Sequence, residues 1–195
     1  MIENLLALPE STALILIDLQ RAFDHPSWGE RNNCAAEQNV QALLAHWRSR
    51  GMAVYHVRHD SSEPGSTYRP AQPGHEFKSE TAPLPGEPII AKCVHSAFIG
   101  SSLESELRRN GNLTVAIAGV ITNNSVEATV RMAADLGFHV YLVEDGCFTF
   151  GRCDWRGVWR TADEVHAMSL ANLHGEYCTV VTTEVLLESM PGLSR

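Results

Sequence analysis

Six short, nearly continuous apolar runs are the strongest constraint on how this chain can fold. They are Thr12–Ile17, Ala53–Val57, Pro88–Ala91, Leu113–Ala118, His139–Val143 and Cys178–Val181. A run apolar on both faces suits a strand buried on both faces, the environment of a parallel sheet covered by helices. Helical patterns lie between the runs. Val40, Leu43, Leu44 and Trp47 stand at i, i+3, i+4 and i+7, and the stripe ends at Gly51, a C-terminal glycine. Ser101 with Glu104 and Thr161 with Glu164 have capping-box spacing, each predicting a helix start, and Ser125 to Gly137 predicts another helix. Strands alternating with helices make an α/β protein with right-handed crossovers. The expected architecture is a three-layer α/β/α arrangement around a six-stranded, mostly parallel, Rossmann-like sheet.

Ligands in such sheets bind beyond the carboxyl ends of the strands, so the residues following the runs are the candidates for chemistry. Asp18 ends the first run and suits either a turn carboxylate or a general base. Lys92 follows the third run, as a solvated strand end or as a buried cation in need of a carboxylate. The fourth run opens into Gly119-Val-Ile-Thr-Asn-Asn-Ser125, a strand-to-helix turn. There Ser125 either caps the helix or acts as a nucleophile beside backbone N–H groups and the positive end of the helix dipole.

Composition narrows the partners. Fifteen Lys and Arg against 23 Asp and Glu leave a net charge of −8 over 195 residues, with no basic run of the kind that nucleic acid or an anionic membrane surface requires. A small molecule is the expected partner, and one domain spanning 1–195 is the expected organisation at this length. Cys34, Cys93, Cys147, Cys153 and Cys178 are widely spaced without a C-x-x-C pair, which indicates neither a disulfide framework nor a zinc ribbon and fits a reducing cytoplasm. Met1 to Glu10 has no basic n-region, and Ala13–Ile17 is far too short to span a bilayer, so neither a signal peptide nor a membrane span is expected. No glycine-rich phosphate cradle is present. His56 and His59, three apart in an extended run, point to opposite faces, so neither a metal nor a cofactor is expected. The polar, Pro- and Gly-rich segment from Arg58 to Glu87 is long enough to be a functional loop or a dimer arm. Its Arg58 and Arg69 are candidates for gripping a carboxylate or for simple solvation. His166 and His174 are expected at the surface or an interface. Phe23 and Trp28 after the first run, and Phe148, Phe150, Trp155 and Trp159 after the fifth, are candidate pocket aromatics, with Gln20 and Tyr68 as polar substrate contacts.

Three motifs occur in order: Asp18-Leu-Gln after the first run; Lys92 in K-x-x-x-S-A-F; and G-V-x-T-x-x-S-V-x-x-T-x-R-x-A from Gly119, followed by L-G and V-E-D. With the tail from Glu164 to Tyr177, they resemble the isochorismatase-like cysteine hydrolase superfamily over nearly the whole chain. The resemblance implies that family's fold and a triad of Asp, Lys and Cys cleaving C–N bonds in small amides, ureides or imides. Carried over by position, Asp18 is the base, Lys92 the cation, and Ser125 stands at the nucleophile. The resemblance also implies a cis peptide at Val120–Ile121 and an oxyanion hole built from the N–H groups of Ile121 and Ser125. It implies a homodimer or homotetramer, with Trp155 and Trp159 as candidates for contact across the interface. The metal-binding D-x-H of related nicotinamidases is absent.

The departure is at position 125. A thiol with an ordinary pKa of about 8.5 is brought down by a neighbouring cation and a helix N-terminus, whereas an alcohol must pass its proton to a base as it attacks. Asp18 is the base the sequence offers. Four readings stay open: a serine nucleophile activated by Asp18; vinyl-ether hydrolysis without a covalent nucleophile; ligand binding without turnover; or an engineered Cys-to-Ser replacement.

Overall fold

The computed structural model describes residues 8–189, so most of the segment carrying the N-terminal expectation lies outside the described residues. All six apolar runs are strands of one sheet: β1 (Ala13–Ile17), β2 (Val54–His59), β3 (Ile89–Lys92), β4 (Thr114–Val120), β5 (His139–Phe148) and, after a small two-stranded hairpin of β6 (Arg152–Cys153) and β7 (Trp159–Arg160), β8 (Thr179–Val181). The order is β3-β2-β1-β4-β5-β8, and every pairing in this sheet is parallel. The hairpin was not legible as a pattern, because two residues per strand leave no period to read.

Among the described residues five α-helices cover the sheet: α1 (Ala36–Ser49), α2 (Leu103–Arg109), α3 (Glu127–Asp135), α4 (Ala162–Leu173) and α5 (Thr183–Glu188). Strand alternation decides which face each side chain serves. Leu14 and Leu16 pack with Val40, Leu43, Leu44 and Trp47 of α1 and Leu186 of α5. Ala13, Ile15 and Ile17 pack with Leu103 and Leu107 of α2, Val130 and Ala133 of α3, and Leu173 of α4. All five β1 and all seven β4 residues are buried, which is why these runs are apolar without alternation. Trp47 donates its indole N–H to the Thr12 carbonyl at 2.9 Å, satisfying its one polar atom inside the core.

The Thr161 capping box forms, with the hydroxyl and the Glu164 carboxylate exchanging bonds with each other's backbone N–H. The Ser101 box does not. The Ser101 hydroxyl donates back to Ala97 O at 2.5 Å and accepts from Leu103 N, while Glu104 turns to Arg108. The Ser101 oxygen accepts the Leu103 N–H in place of the Glu104 N–H that a capping box requires, and helix α2 starts at Leu103. The segment from Arg58 to Glu87 folds onto its own chain rather than extending as an arm. Arg48 of α1 holds Glu87 at 2.7 and 2.8 Å and the Ala82 carbonyl at 2.9 Å.

Glu37 of α1 anchors this segment. It takes both guanidinium arms of Arg31 at 2.6 and 2.5 Å and the ammonium of Lys78 at 2.7 Å, and Lys78 also meets Asp24 at 2.8 Å. Burial pushes the Glu37 carboxyl up, but the two cations more than offset it and hold it at about 2. Because this value lies below the ordinary 4.5, the ion pairing stabilises the fold fully above pH 4.5 and fades as pH falls toward 2. Glu37→Gln is expected to cost about 3 kcal/mol at pH 7 by leaving two cations short of a counter-charge. The gap between wild type and variant, read by thermal unfolding, should narrow steadily below pH 4.5. A gap independent of pH would rule out this anchoring role.

Candidate active site

The sheet order reverses direction between β1 and β4, so their carboxyl ends diverge into a crevice. Asp18 leaves β1 at that point with φ of 51°, a left-handed conformation that Asp tolerates better than most residues. Its N–H still pairs with the Val57 carbonyl at 3.0 Å, so the turn is rigid at its start. Across the crevice β4 ends in a cis Val120–Ile121 peptide, and a wide helical turn over Thr122–Val126 lifts Ser125 before α3 begins at Glu127. On the other side of β1, register places His59 of β2 opposite Lys92 of β3.

Three elements far apart in sequence thus meet at one ammonium. Lys92 Nζ lies 2.7 Å from Asp18 Oδ2, 3.4 Å from Ser125 Oγ and 3.3 Å from His59 Nδ1, so its three N–H groups have three acceptors. Asp18, Lys92 and Ser125 are 3%, 2% and 8% exposed, burial deep enough to strengthen every charge in the cluster. Loss of solvation raises the Asp18 carboxyl above its usual range and outweighs the lowering by Lys92 and Ser125. Burial and the neighbouring ammonium hold the His59 imidazole down at about 4, so it is neutral near pH 7. From sequence His59 stands out only as a possible metal ligand. Its place beside the triad comes from cross-strand register, which no local pattern encodes.

The aromatics sort into two groups. Phe23, Trp28, Tyr68, Phe148 and Phe150 form one cluster, with ring centroids 5.0 Å apart for Phe23 and Trp28 and 5.1 Å for Phe23 and Tyr68. Trp155 and Trp159 instead sit on the hairpin, 88% and 63% exposed. Gln20 is corrected from a substrate contact to a brace. Its amide nitrogen donates to the carbonyls of His59 and His75 while its oxygen accepts from His59 N–H, leaving little for a ligand. Arg58 is held by the Asp60 carboxylate of its own chain at 2.8 Å, which occupies the fork a ligand carboxylate would need, and Arg69 reaches the Pro64 carbonyl at 3.4 Å.

His166 is also corrected. It is buried on the inner face of α4, with Nδ1 2.8 Å from the Thr122 hydroxyl. Ser169, one turn on, donates its one proton to Glu127 at 2.6 Å, with the Thr122 carbonyl 3.3 Å from the same hydroxyl, so α4 braces the turn that carries Ser125. The surface or interface position expected for His166 fails because its buried partner, Thr122, lies 44 positions away. None of the five cysteines substitutes for the missing thiol: Cys34, Cys93 and Cys153 are exposed, and burial pushes the Cys147 thiol far up and the Cys178 thiol to about 12. Among the described residues no group of three or more His, Cys, Asp or Glu side chains is placed to hold a metal ion, and no helix is long and apolar enough to cross a membrane.

Comparison with known proteins bears on the family and the fold. The Isochorismatase domain family matches residues 12–185. The chain is 42% identical over 178 residues to the isochorismatase family protein YrdC of Bacillus subtilis (strain 168), spanning 91% of this chain and 95% of that one. It is 27% identical over 175 residues to the ureidoacrylate amidohydrolase RutB of Variovorax paradoxus (strain S110), spanning 72% and 69%. A solved isochorismatase-family structure from Chromobacterium violaceum ATCC 12472 superposes with a TM-score of 0.91 at 60% identity, covering 93% of this chain and 94% of that one. With the switch-point crevice, the motif order and a family match over most of its length, the chain belongs to the isochorismatase family of hydrolases.

Proposed function

We propose that the protein hydrolyses the C–N bond of a small amide, ureide or imide, with Ser125 as nucleophile, Asp18 as general base and acid, and Lys92 as the cation that aligns both. The observation that carries this reading is the buried Asp18–Lys92 pair within reach of the Ser125 hydroxyl. A carboxylate raised by desolvation is a better base than one in water, and an alcohol needs that help more than a thiol does. An amidohydrolase among the relatives supports the C–N bond class.

In the proposed sequence Ser125 Oγ bonds to the carbonyl carbon while its proton passes to Asp18. The carbonyl oxygen takes the negative charge between the N–H groups of Ile121 and Ser125, donors fixed by the turn before reaction begins. The tetrahedral carbon then expels the nitrogen, which takes the proton from Asp18 and leaves as ammonia or an amine. Water attacks the acyl-serine and gives its proton to Asp18. The carboxylic acid departs as the proton returns to Ser125. His59 stays neutral and holds the third Lys92 proton.

The test is ammonia release from a panel of small primary amides and ureides by the wild type, Ser125→Cys and Ser125→Ala. Wild type is expected to turn over, Ser125→Cys to match or exceed it, and Ser125→Ala to lose about a thousandfold or more in kcat. Release by Ser125→Ala at the wild-type rate would remove Ser125 from the chemistry. Silence from both wild type and Ser125→Cys across the panel would overturn C–N hydrolysis altogether.

A further inference from the structure

Among the described residues four buried side-chain atoms have no hydrogen-bond partner, and two of them are at this site: Asp18 Oδ1 and the Tyr68 hydroxyl. Buried polar atoms are nearly always paired, because leaving one bare costs free energy, so a bare one needs an explanation. Here one atom is a carboxylate oxygen and the other a hydroxyl donor. They belong to one locality: the Tyr68 ring meets the His59 ring edge-on at 5.4 Å, His59 touches Lys92, and Lys92 holds Asp18. The Asp18 charge acts directly on the Tyr68 hydroxyl, and with burial it pushes that group further from ionising. Tyr68 is therefore a neutral donor.

We propose that Tyr68 is a specificity-determining residue, whose hydroxyl binds a second, uncharged carbonyl oxygen of the substrate and so selects amides carrying two carbonyl groups over simple amides. This rests on the hydrolytic reading above and narrows its substrate class. The scissile carbonyl is accounted for by the Ile121 and Ser125 N–H groups, and the leaving nitrogen faces Asp18. A donor beyond these has no use for a simple amide. Charge argues for a neutral acceptor: Lys92 is matched by Asp18, Arg31 by Glu37 and Arg58 by Asp60, so a carboxylate entering beside Asp18 would find none of these three cations free to balance it. The donor is also held in place, its ring wedged against Phe23 at 5.1 Å, Trp28 at 6.5 Å and His59. Selection by a preorganised buried donor is strong, because the wrong substrate leaves that donor unpaired.

The test compares malonamide with isovaleramide, in which a branched alkyl group of similar shape replaces the second carboxamide. The full chain and its Tyr68→Phe variant are assayed for ammonia release. Wild type is expected to favour malonamide by about tenfold or more in kcat/KM, and Tyr68→Phe to bring the ratio within about threefold. The melting temperature of Tyr68→Phe should equal or exceed that of wild type, since the change removes a bare buried hydroxyl. A preference that survives in Tyr68→Phe would overturn the proposal, as would a fall in melting temperature of about 5 °C or more, which would mark the hydroxyl as structural. If neither wild type nor Ser125→Cys releases ammonia, the hydrolytic reading fails separately, and calorimetry on Ser125→Ala decides the role of Tyr68. Malonamide binding weakened about tenfold by Tyr68→Phe in that background upholds the selection; equal binding, or none up to about 10 mM, overturns it.

Discussion

Asp18→Asn is expected to lower kcat by about a thousandfold, within the range supplied by a positioned general base. The amide is almost the same shape as the carboxylate but cannot take the Ser125 proton. The wild-type rate should also show an acid limb, falling as Asp18 protonates, with its midpoint above the ordinary carboxyl value of 3.8 because desolvation raises the group. Any residual activity of Asp18→Asn should lack that limb. The variant carries a second effect that must be separated from the first. It leaves the Lys92 ammonium, 2% exposed, without a counter-charge, and breaking such a buried pair costs about 3–5 kcal/mol. The double variant Asp18→Asn with Lys92→Met removes the stranded charge, so unfolding measurements should show recovered stability while activity stays lost. Full activity in Asp18→Asn would exclude Asp18 as the base. Recovery of activity along with stability in the double variant would reduce the pair to a structural role.

The second large effect is expected at Gly119, on stability. This residue has φ of +127°, and a Cβ there would stand 2.2 Å from the Ile17 carbonyl oxygen, 2.6 Å from Ile17 N and 2.9 Å from its carbonyl carbon. All three atoms are backbone of β1, one residue before Asp18, and Ile17 is paired with Gly119 in the sheet. Relief of the clash requires β1 and β4 to separate where the sheet positions the triad. Gly119→Ala is expected to cost about 4 kcal/mol or more, combining overpacking with a conformation that side chains rarely adopt. For a chain of this length that lowers the melting temperature by roughly 10 °C. Gly137 is the control. Its φ is also positive, at +84°, but a Cβ would meet nothing within 4 Å, so Gly137→Ala should cost only about 1 kcal/mol. Equal losses at the two positions would show that backbone conformation, not the contact with Ile17, sets the requirement.

Much of the fold was legible from particular residues. β1 is apolar at every position because both of its faces meet helices, and the same holds for β4 after Thr114. The α1 stripe of Val40, Leu43, Leu44 and Trp47 is the side of that helix buried on the sheet. Asp18, Lys92 and Ser125 were legible as candidates because each stands at or beyond the carboxyl end of an apolar run, and the motif order tied them together; that the β3 run is an edge strand with alternate residues exposed, and not buried on both faces, was not legible. Their separations were not legible, nor was the environment that raises the Asp18 carboxyl. The errors share a cause. Ser101, Gln20 and His166 each have a polar group able to bond several partners, and which partner it takes depends on segments 4 to 55 positions away.

Periodicity and side-chain chemistry are local properties, so the sequence by itself determined that buried strands alternate with helices, which strand ends carry reactive groups, and that position 125 bears a hydroxyl in place of a thiol. Tertiary structure alone decided that His59 stands opposite Lys92, that the Tyr68 ring packs edge-on against His59, and that α4 braces the Ser125 turn through His166 and Ser169. Those facts depend on cross-strand register and on how loops close over the sheet edge. There, energy comes from contacts between residues distant in the chain, and no short stretch of sequence holds both partners.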